Sequence, residues 1–186
     1  MWKLFLRIMM LLYILPAFAG KNSCSSKIVG YRVVESSVFQ FVTDGKKACF
    51  FAFYTLNPDP IVDVKGNGNL GDTIWYGYYR INNSSKIYEF PKPSGTDWSG
   101  VCSIDAISFY DMNNDKKPDV TVIGSCDKNT MNYTIPFVFI SSGNNYVLEE
   151  NVYRSLYGFF GLTVNDVRAY IKSPKSYFKV LEERNK

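Results

Sequence analysis

The sequence predicts a mainly β protein of antiparallel sheets and hairpins, with one or two short helices near the C-terminus. Short runs rich in Val, Ile, Phe and Tyr, which favour strands, are separated by segments rich in Gly, Asn, Asp and Pro. A helix-like spacing of apolar residues is found only at the end of the chain. This order favours antiparallel pairing over β-α-β units, whose crossovers carry a helix.

The predicted strands follow one another from residue 28 onward, with turn signals between them. They are residues 28–35, 38–43, 48–56, 73–82, 86–89, 103–110, 119–124, 134–141 and 146–149. The clearest turn signals are Asp44-Gly45, Asn57-Pro58, Asn82-Asn83 and Gly143-Asn144, because these residue types favour turn conformations.

Helices are predicted at about residues 163–185. The run Thr163-Val164-Asn165-Asp166 is typical of a helix N-terminus. Ser173 followed by Pro174 is typical of an N-cap and a first helical position, and therefore predicts a second helix. We expect these helices to cover one face of a sheet, and the alternative is a helix that binds a membrane or a partner.

Residues 1–19 have the pattern of a secretory signal peptide. Lys3 and Arg7 precede an apolar run, and Ala17-Phe18-Ala19 matches an A-x-A cleavage site. A membrane span is the alternative, but the apolar run is about half of the ~20 residues that a spanning helix needs. The sequence therefore predicts a secreted or periplasmic protein, with residues 20–186 as a single β-rich domain and no membrane span after cleavage.

Cysteine usage agrees with export to an oxidising compartment. The chain has four cysteines, and an even number in an exported chain favours two disulfides. A zinc site is the alternative, but the sequence has no C-x-x-C pair and no histidine to complete it. Three pairings are possible. The pairing of Cys24 with Cys49 and of Cys102 with Cys126 is favoured because it keeps each bridge local.

The chain has no histidine, which excludes several kinds of site. Ser-His-Asp and Cys-His nucleophile systems, a histidine general base and most zinc sites all need that residue. The formal net charge of +4 includes Lys3 and Arg7 of the predicted signal peptide. The remaining chain is therefore near neutral, and charge gives no argument for a nucleic-acid partner.

The segment between the predicted strands 103–110 and 119–124 carries oxygen donors at alternate positions. Calcium takes six to eight hard oxygen ligands from carboxylates, amides and carbonyls. The sequence predicts one calcium ion, bound by the side chains of Asp111, Asn113, Asp115 and Asp119 and by the carbonyl of Lys117. The alternatives are magnesium, or a polar Asn-Asp turn that binds no metal.

An EF-hand does not fit this segment. Its twelfth loop position would require a bidentate Glu and is Val122 here, and the flanking segments are predicted strands rather than helices.

The pattern Asp-x-Asn-x-Asp-x-x-Pro-Asp, followed by Val-Thr-Val-Ile, resembles the calcium loop of FG-GAP/VCBS repeats. The resemblance covers residues 104–124 and implies a propeller-blade-like sheet, with a sandwich as the alternative. It implies the same metal ligands. Lys116 stands where that family usually has glycine. A weaker copy at residues 63–72 has Lys65 at the third position, so we expect either a degenerate loop without metal or a glycine-rich turn.

These observations predict an exported, non-enzymatic, calcium-binding β domain that binds another protein, for example as an inhibitor or immunity protein. Trp75 and Tyr79 are candidates for an exposed contact, and core packing is the alternative. A second hypothesis is a carboxylate-based hydrolase such as a glycosidase. A third is a structural component of the cell envelope. The acids available to a hydrolase are Glu35, Asp97, Glu149 and Glu150.

Overall fold

The computed structural model describes residues 23–55, 73–92, 103–128 and 131–184, and within them the chain forms two four-stranded antiparallel sheets followed by helices. The first sheet contains β1 (Arg32–Thr43), β2 (Lys46–Thr55), β3 (Thr73–Arg80) and β4 (Asn83–Glu89). The second contains β5 (Ser103–Tyr110), β6 (Asp119–Lys128), β7 (Met131–Ser142) and β8 (Asn145–Leu148). The helices are α1 (Glu150–Leu156), α2 (Val164–Lys172) and α3 (Pro174–Arg184). Each sheet is a meander in chain order, which confirms the mainly β, antiparallel class.

The two sheets pack face to face through aromatic side chains. Phe50 on β2 and Tyr78 on β3 are register partners, so their side chains lie on the same face of the first sheet. This face points toward the second sheet. The Phe50 ring lies 5.7 Å from that of Phe109. The rings of Phe90 and Phe139 are 4.6 Å apart. Full burial of each such ring contributes about 1.5–3 kcal/mol, so this shared layer is the main core of the protein.

Trp75 and Tyr79 belong to the core and are not exposed contacts. Their exposed fractions are 2% and 4%. The Trp75 indole N–H donates to the Phe90 carbonyl at 3.0 Å, and the Tyr79 hydroxyl accepts from the Ser25 N–H at 2.7 Å. The core-packing alternative is confirmed, and the hypothesis of an exposed aromatic contact is wrong.

The outer face of the first sheet is covered by the segment before β1. The predicted disulfide between Cys24 and Cys49 is present and ties this segment to β2. The Tyr31 ring packs edge-on against Phe53 at 4.8 Å. The predicted bridge from Cys102 to Cys126 involves a cysteine outside the described residues. The predicted signal peptide, residues 1–19, and the segment 63–72 lie outside them as well.

The outer face of the second sheet is covered by the helices, as the sequence predicts. Ile123 and Val138 point outward from β6 and β7 and pack with Leu156 and Val167. Helix α2 begins with a complete capping box between Thr163 and Asp166, and α3 begins at Pro174. Helix α1 was not predicted, because its seven residues are too short for a clear apolar period.

Strand β1 joins two segments that were predicted as separate strands. Its pairing with β2 shifts register between Val34 and Phe39. Ser37 closes this bulge, because its hydroxyl accepts from the Ala52 N–H at 2.7 Å and donates to the Val34 carbonyl at 2.6 Å. The polar residues that suggested a break therefore lie within one continuous strand.

None of the helices in the described part of the chain is long and apolar enough to cross a membrane.

Candidate metal-binding loop

The predicted calcium loop connects the first two strands of the second sheet. Tyr110 and Asp119 are register partners at its two ends, so β5 and β6 hold the loop closed. The weaker copy at residues 63–72 belongs to the segment between β2 and β3 that lies outside the described residues.

Side-chain oxygens of Asp111 and Asn113 converge inside the loop. Asp111 Oδ1 and Asn113 Oδ1 both accept from the Asp115 N–H, at 3.1 and 3.0 Å. The amide of Asn113 donates in turn to Asp115 Oδ2 at 3.2 Å. Asp115 Oδ1 accepts from the Lys117 N–H at 2.8 Å. Two carboxylates and one amide are therefore gathered over a single turn of backbone.

The backbone of the loop contains two non-glycine residues in the left-handed region. Asn114 has φ 62° and Lys116 has φ 67°. Asparagine adopts this conformation readily, whereas a lysine there costs about 1–2 kcal/mol. The Lys116 N–H donates to Asp111 Oδ2 at 2.7 Å, which offsets part of that cost. The turn thus stays tight although lysine replaces the glycine that is usual in FG-GAP/VCBS loops.

Asp119 is directed into the protein. Its side chain is fully buried. Oδ2 accepts from the Met112 N–H at 2.7 Å, and Oδ1 accepts from the Ser141 N–H at 2.8 Å. Burial raises the pKa of this carboxyl, the two hydrogen bonds oppose that shift, and the charges of Asp115 and Asp111 raise the pKa further. Asp119 therefore links the start of the loop to β7.

Lys117 ties the loop to two neighbouring turns. Its ammonium lies 3.2 Å from Asp44 Oδ1 in the β1–β2 turn and donates to the Gly143 carbonyl in the β7–β8 turn at 3.0 Å. The carbonyl of the next residue, Pro118, accepts from the Tyr146 hydroxyl at 3.1 Å. Groups from both sheets thus fix the C-terminal half of the loop.

The side-chain oxygens of the loop are of the type that binds a hard cation such as calcium. In this structure they accept hydrogen bonds from backbone N–H groups. Asp111, Asn113 and Asp115 lie together, whereas Asp119 faces two amides. Among the described residues, no group of three or more Asp, Glu or Cys side chains is positioned to hold a metal ion. Each carboxylate oxygen that accepts one N–H keeps a further lone pair. The loop therefore has the oxygen ligands that calcium prefers, on a backbone whose turns are already formed.

A groove beside the loop was not predicted from the sequence. It has a volume of about 480 Å³ and lies between the loop and α2, lined by Tyr110, Asp111, Met112, Arg168, Ile171 and Lys172. The Arg168 guanidinium lies 4.2 Å from the centre of the Tyr110 ring and donates to the Ser108 hydroxyl at 2.7 Å. These residues are far apart in sequence, so only the placement of α2 against β5 brings them together.

The acids considered for a hydrolase are divided between different layers. Glu35 is exposed on β1 of the first sheet. Glu149 caps α1 by accepting from the Asn151 N–H, and Glu150 pairs with Arg154 at 3.0 Å. Asp97 lies outside the described residues.

Comparison of the chain with protein-family models, with curated proteins and with solved structures gives no match. The resemblance of residues 104–124 to FG-GAP/VCBS calcium loops thus stays a prediction that rests on the loop residues themselves.

Proposed function

We propose that this protein is an exported, non-enzymatic β domain that binds one calcium ion in the loop of residues 111–119 and binds another protein. The main support is the convergence of the Asp111 and Asn113 side-chain oxygens on the Asp115 N–H. This backbone conformation places one carboxylate and one amide oxygen on the same side of a single turn, next to a second acidic side chain, that of Asp115.

The metal ligands would be the side chains of Asp111, Asn113, Asp115 and Asp119 and the carbonyl of Lys117. The cation would supply positive charge to a loop in which three carboxylates lie within nine residues. Burial raises the pKa of Asp119, and the charges of Asp115 and Asp111 raise it further, so a bound cation would offset their repulsion of this carboxylate. Calcium is favoured over magnesium because it accepts more oxygen ligands in a flexible geometry, whereas magnesium usually keeps several waters.

We infer a structural role for calcium rather than a regulatory one. The Lys117 ion pair with Asp44 and the buried Asp119 hold the loop to both sheets. A ligand that binds only the folded state raises the free energy of unfolding, by about 2.7 kcal/mol when its concentration is a hundred times its Kd. Calcium would therefore add stability at one end of the domain without moving a separate element.

Export is supported by the disulfide between Cys24 and Cys49 and by the signal-peptide pattern of residues 1–19. Disulfides persist mainly in oxidising compartments such as the periplasm and the cell exterior. The absence of histidine from the sequence, which removes the commonest catalytic base, supports a binding role rather than an enzymatic one.

The test is a calorimetric titration of the purified, oxidised protein with calcium. We expect one ion per chain. Asp115→Asn keeps the shape of the side chain and an acceptor for the Lys117 N–H but removes a charge, so calcium affinity should fall at least tenfold. Glu35→Gln removes the same charge from an exposed position on β1 and should leave the affinity unchanged. Absence of binding to the wild-type protein, or equal affinity in Asp115→Asn, would contradict the metal site.

A further inference from the structure

The groove between the loop and α2 contains two cationic side chains without an acidic partner. Arg168 and Lys172 are four residues apart on α2, so they lie on the same face of the helix. Among the described residues, neither forms an ion pair with a carboxylate. Within the part of the chain that the structure describes, Asp111 supplies the only carboxylate that lines the groove, and its two oxygens already accept N–H groups from within the loop.

Arg168 is held in place before any ligand arrives. Its guanidinium is stacked on the Tyr110 ring and bonded to Ser108, while its Nε–H is buried without an acceptor. A guanidinium fixed in this way loses little side-chain entropy on binding an anion. Lys172 is exposed at the end of the helix and adds a second positive charge.

The groove also has an apolar part, beside the polar side chain of Asn114. Met112 and Ile171 line this groove and also a second one, of about 410 Å³, that continues toward α1. Tyr110 is 50% exposed and lines the groove. A ligand that combines a carboxylate with an apolar side chain would therefore match the cations and the apolar part of this groove.

We propose that this groove binds an acidic segment of the partner protein, with carboxylates at Arg168 and Lys172 and an adjacent apolar side chain against Met112, Ile171 and Tyr110. This inference rests on the proposed protein-binding function and names the surface that performs it. Calcium in the loop strengthens the interaction, because it offsets the negative charge of Asp111 at the edge of the groove. By reciprocity the acidic segment raises the affinity for calcium by the same factor.

The probe is the blocked peptide acetyl-Leu-Asp-Leu-Glu-Leu-amide, and the control peptide has Asn and Gln in place of Asp and Glu. Backbone amide resonances of the full, ¹⁵N-labelled protein are followed by NMR during the titration. We expect shifts confined to residues 110–114 and to α2, a dissociation constant that rises with salt, and no shifts with the control peptide. Shifts elsewhere, equal shifts with both peptides, or no shifts at millimolar peptide would overturn the proposal.

Three variants test the cations. Arg168→Gln should weaken peptide binding roughly tenfold or more, because hydrogen bonds to charged groups are among the stronger ones. Lys172→Gln should leave folding intact, because the side chain is exposed. It should weaken peptide binding roughly threefold or more. Lys175→Gln removes the same charge from an exposed position on α3 and should have no effect. Unchanged affinity in both Arg168→Gln and Lys172→Gln would overturn the proposal.

Repeating the titration in EGTA separates this inference from the calcium proposal. Peptide binding that requires Arg168 and persists equally with and without calcium supports the groove but overturns the coupling to calcium. Calcium binding in the calorimeter without any peptide response supports the metal site and overturns the groove.

Discussion

Replacing Asp119 by Ala tests the structural role of the most buried carboxylate in the loop. The substitution leaves the Met112 and Ser141 N–H groups without their acceptors. A buried donor without a partner costs about 1–3 kcal/mol, so two such donors cost roughly 2–6 kcal/mol. Burial raises the pKa of Asp119 because a charged carboxylate is unfavourable there. Alanine has no charge to bury, and this gain offsets part of the cost. We therefore expect a loss of about 2–4 kcal/mol.

The assay is urea unfolding at pH 7 in excess EGTA, so that a lost metal ligand contributes nothing to the difference. With a slope of about 2 kcal/mol per molar urea, the midpoint should fall by about 1–2 M. Lys175→Ala is the control, because that side chain is exposed on α3 and should change stability by no more than about 0.5 kcal/mol. If Asp119→Ala unfolds within about 0.5 kcal/mol of the wild type, the two buried hydrogen bonds do not hold the loop as described.

Further predictions concern the disulfide, the tyrosines and the cap of α2. Replacing Cys24 and Cys49 by Ala opens a loop of 25 residues and should lower the free energy of unfolding by about 3.5 kcal/mol in urea; a loss below about 1 kcal/mol would contradict this. Burial raises the pKa of Tyr31 and Tyr133 to about 12, with hydrogen bonds to Glu89 and Tyr157 adding to the shift. An unfolded tyrosine loses its proton near pH 10, so stability should be complete below pH 10 and fall between pH 10 and 12. Tyrosinate absorbance and unfolding measured together check this, and constant stability across that range would refute it. Thr163→Ala should cost about 1 kcal/mol by removing the capping box of α2, whereas Thr163→Ser should cost little.

The elements predicted from the sequence are those whose signals are local. The bounds of β5 agree with the predicted strand 103–110, because an apolar pattern ends there at a run of Asp and Asn. The start of α2 follows from Thr163 and Asp166, which are three residues apart and bond to each other. The bridge from Cys24 to Cys49 was favoured because it is short, and the structure has that pairing.

The features that were missed depend on contacts between distant residues. Ser37 has the polarity of a turn residue, and only its bond to the Ala52 N–H shows that it closes a bulge. Asp119 was predicted as a metal ligand from its spacing, but its hydrogen bond from the Ser141 N–H was not predicted, because that bond depends on the position of β7. The stacking of Arg168 on Tyr110 depends on how α2 packs against β5, which no local pattern specifies.

The most direct test of the calcium site is thermal unfolding of the oxidised protein in millimolar calcium and in excess EGTA, compared with Asp111→Ala. We predict that calcium raises the melting temperature of the wild type by roughly 5–10 °C when it is present at a hundred times its Kd. Magnesium should raise it less, and Asp111→Ala should show no calcium-dependent increase. Equal melting temperatures of the wild type in calcium and in EGTA would contradict the site and reduce the loop to a turn held by its own hydrogen bonds.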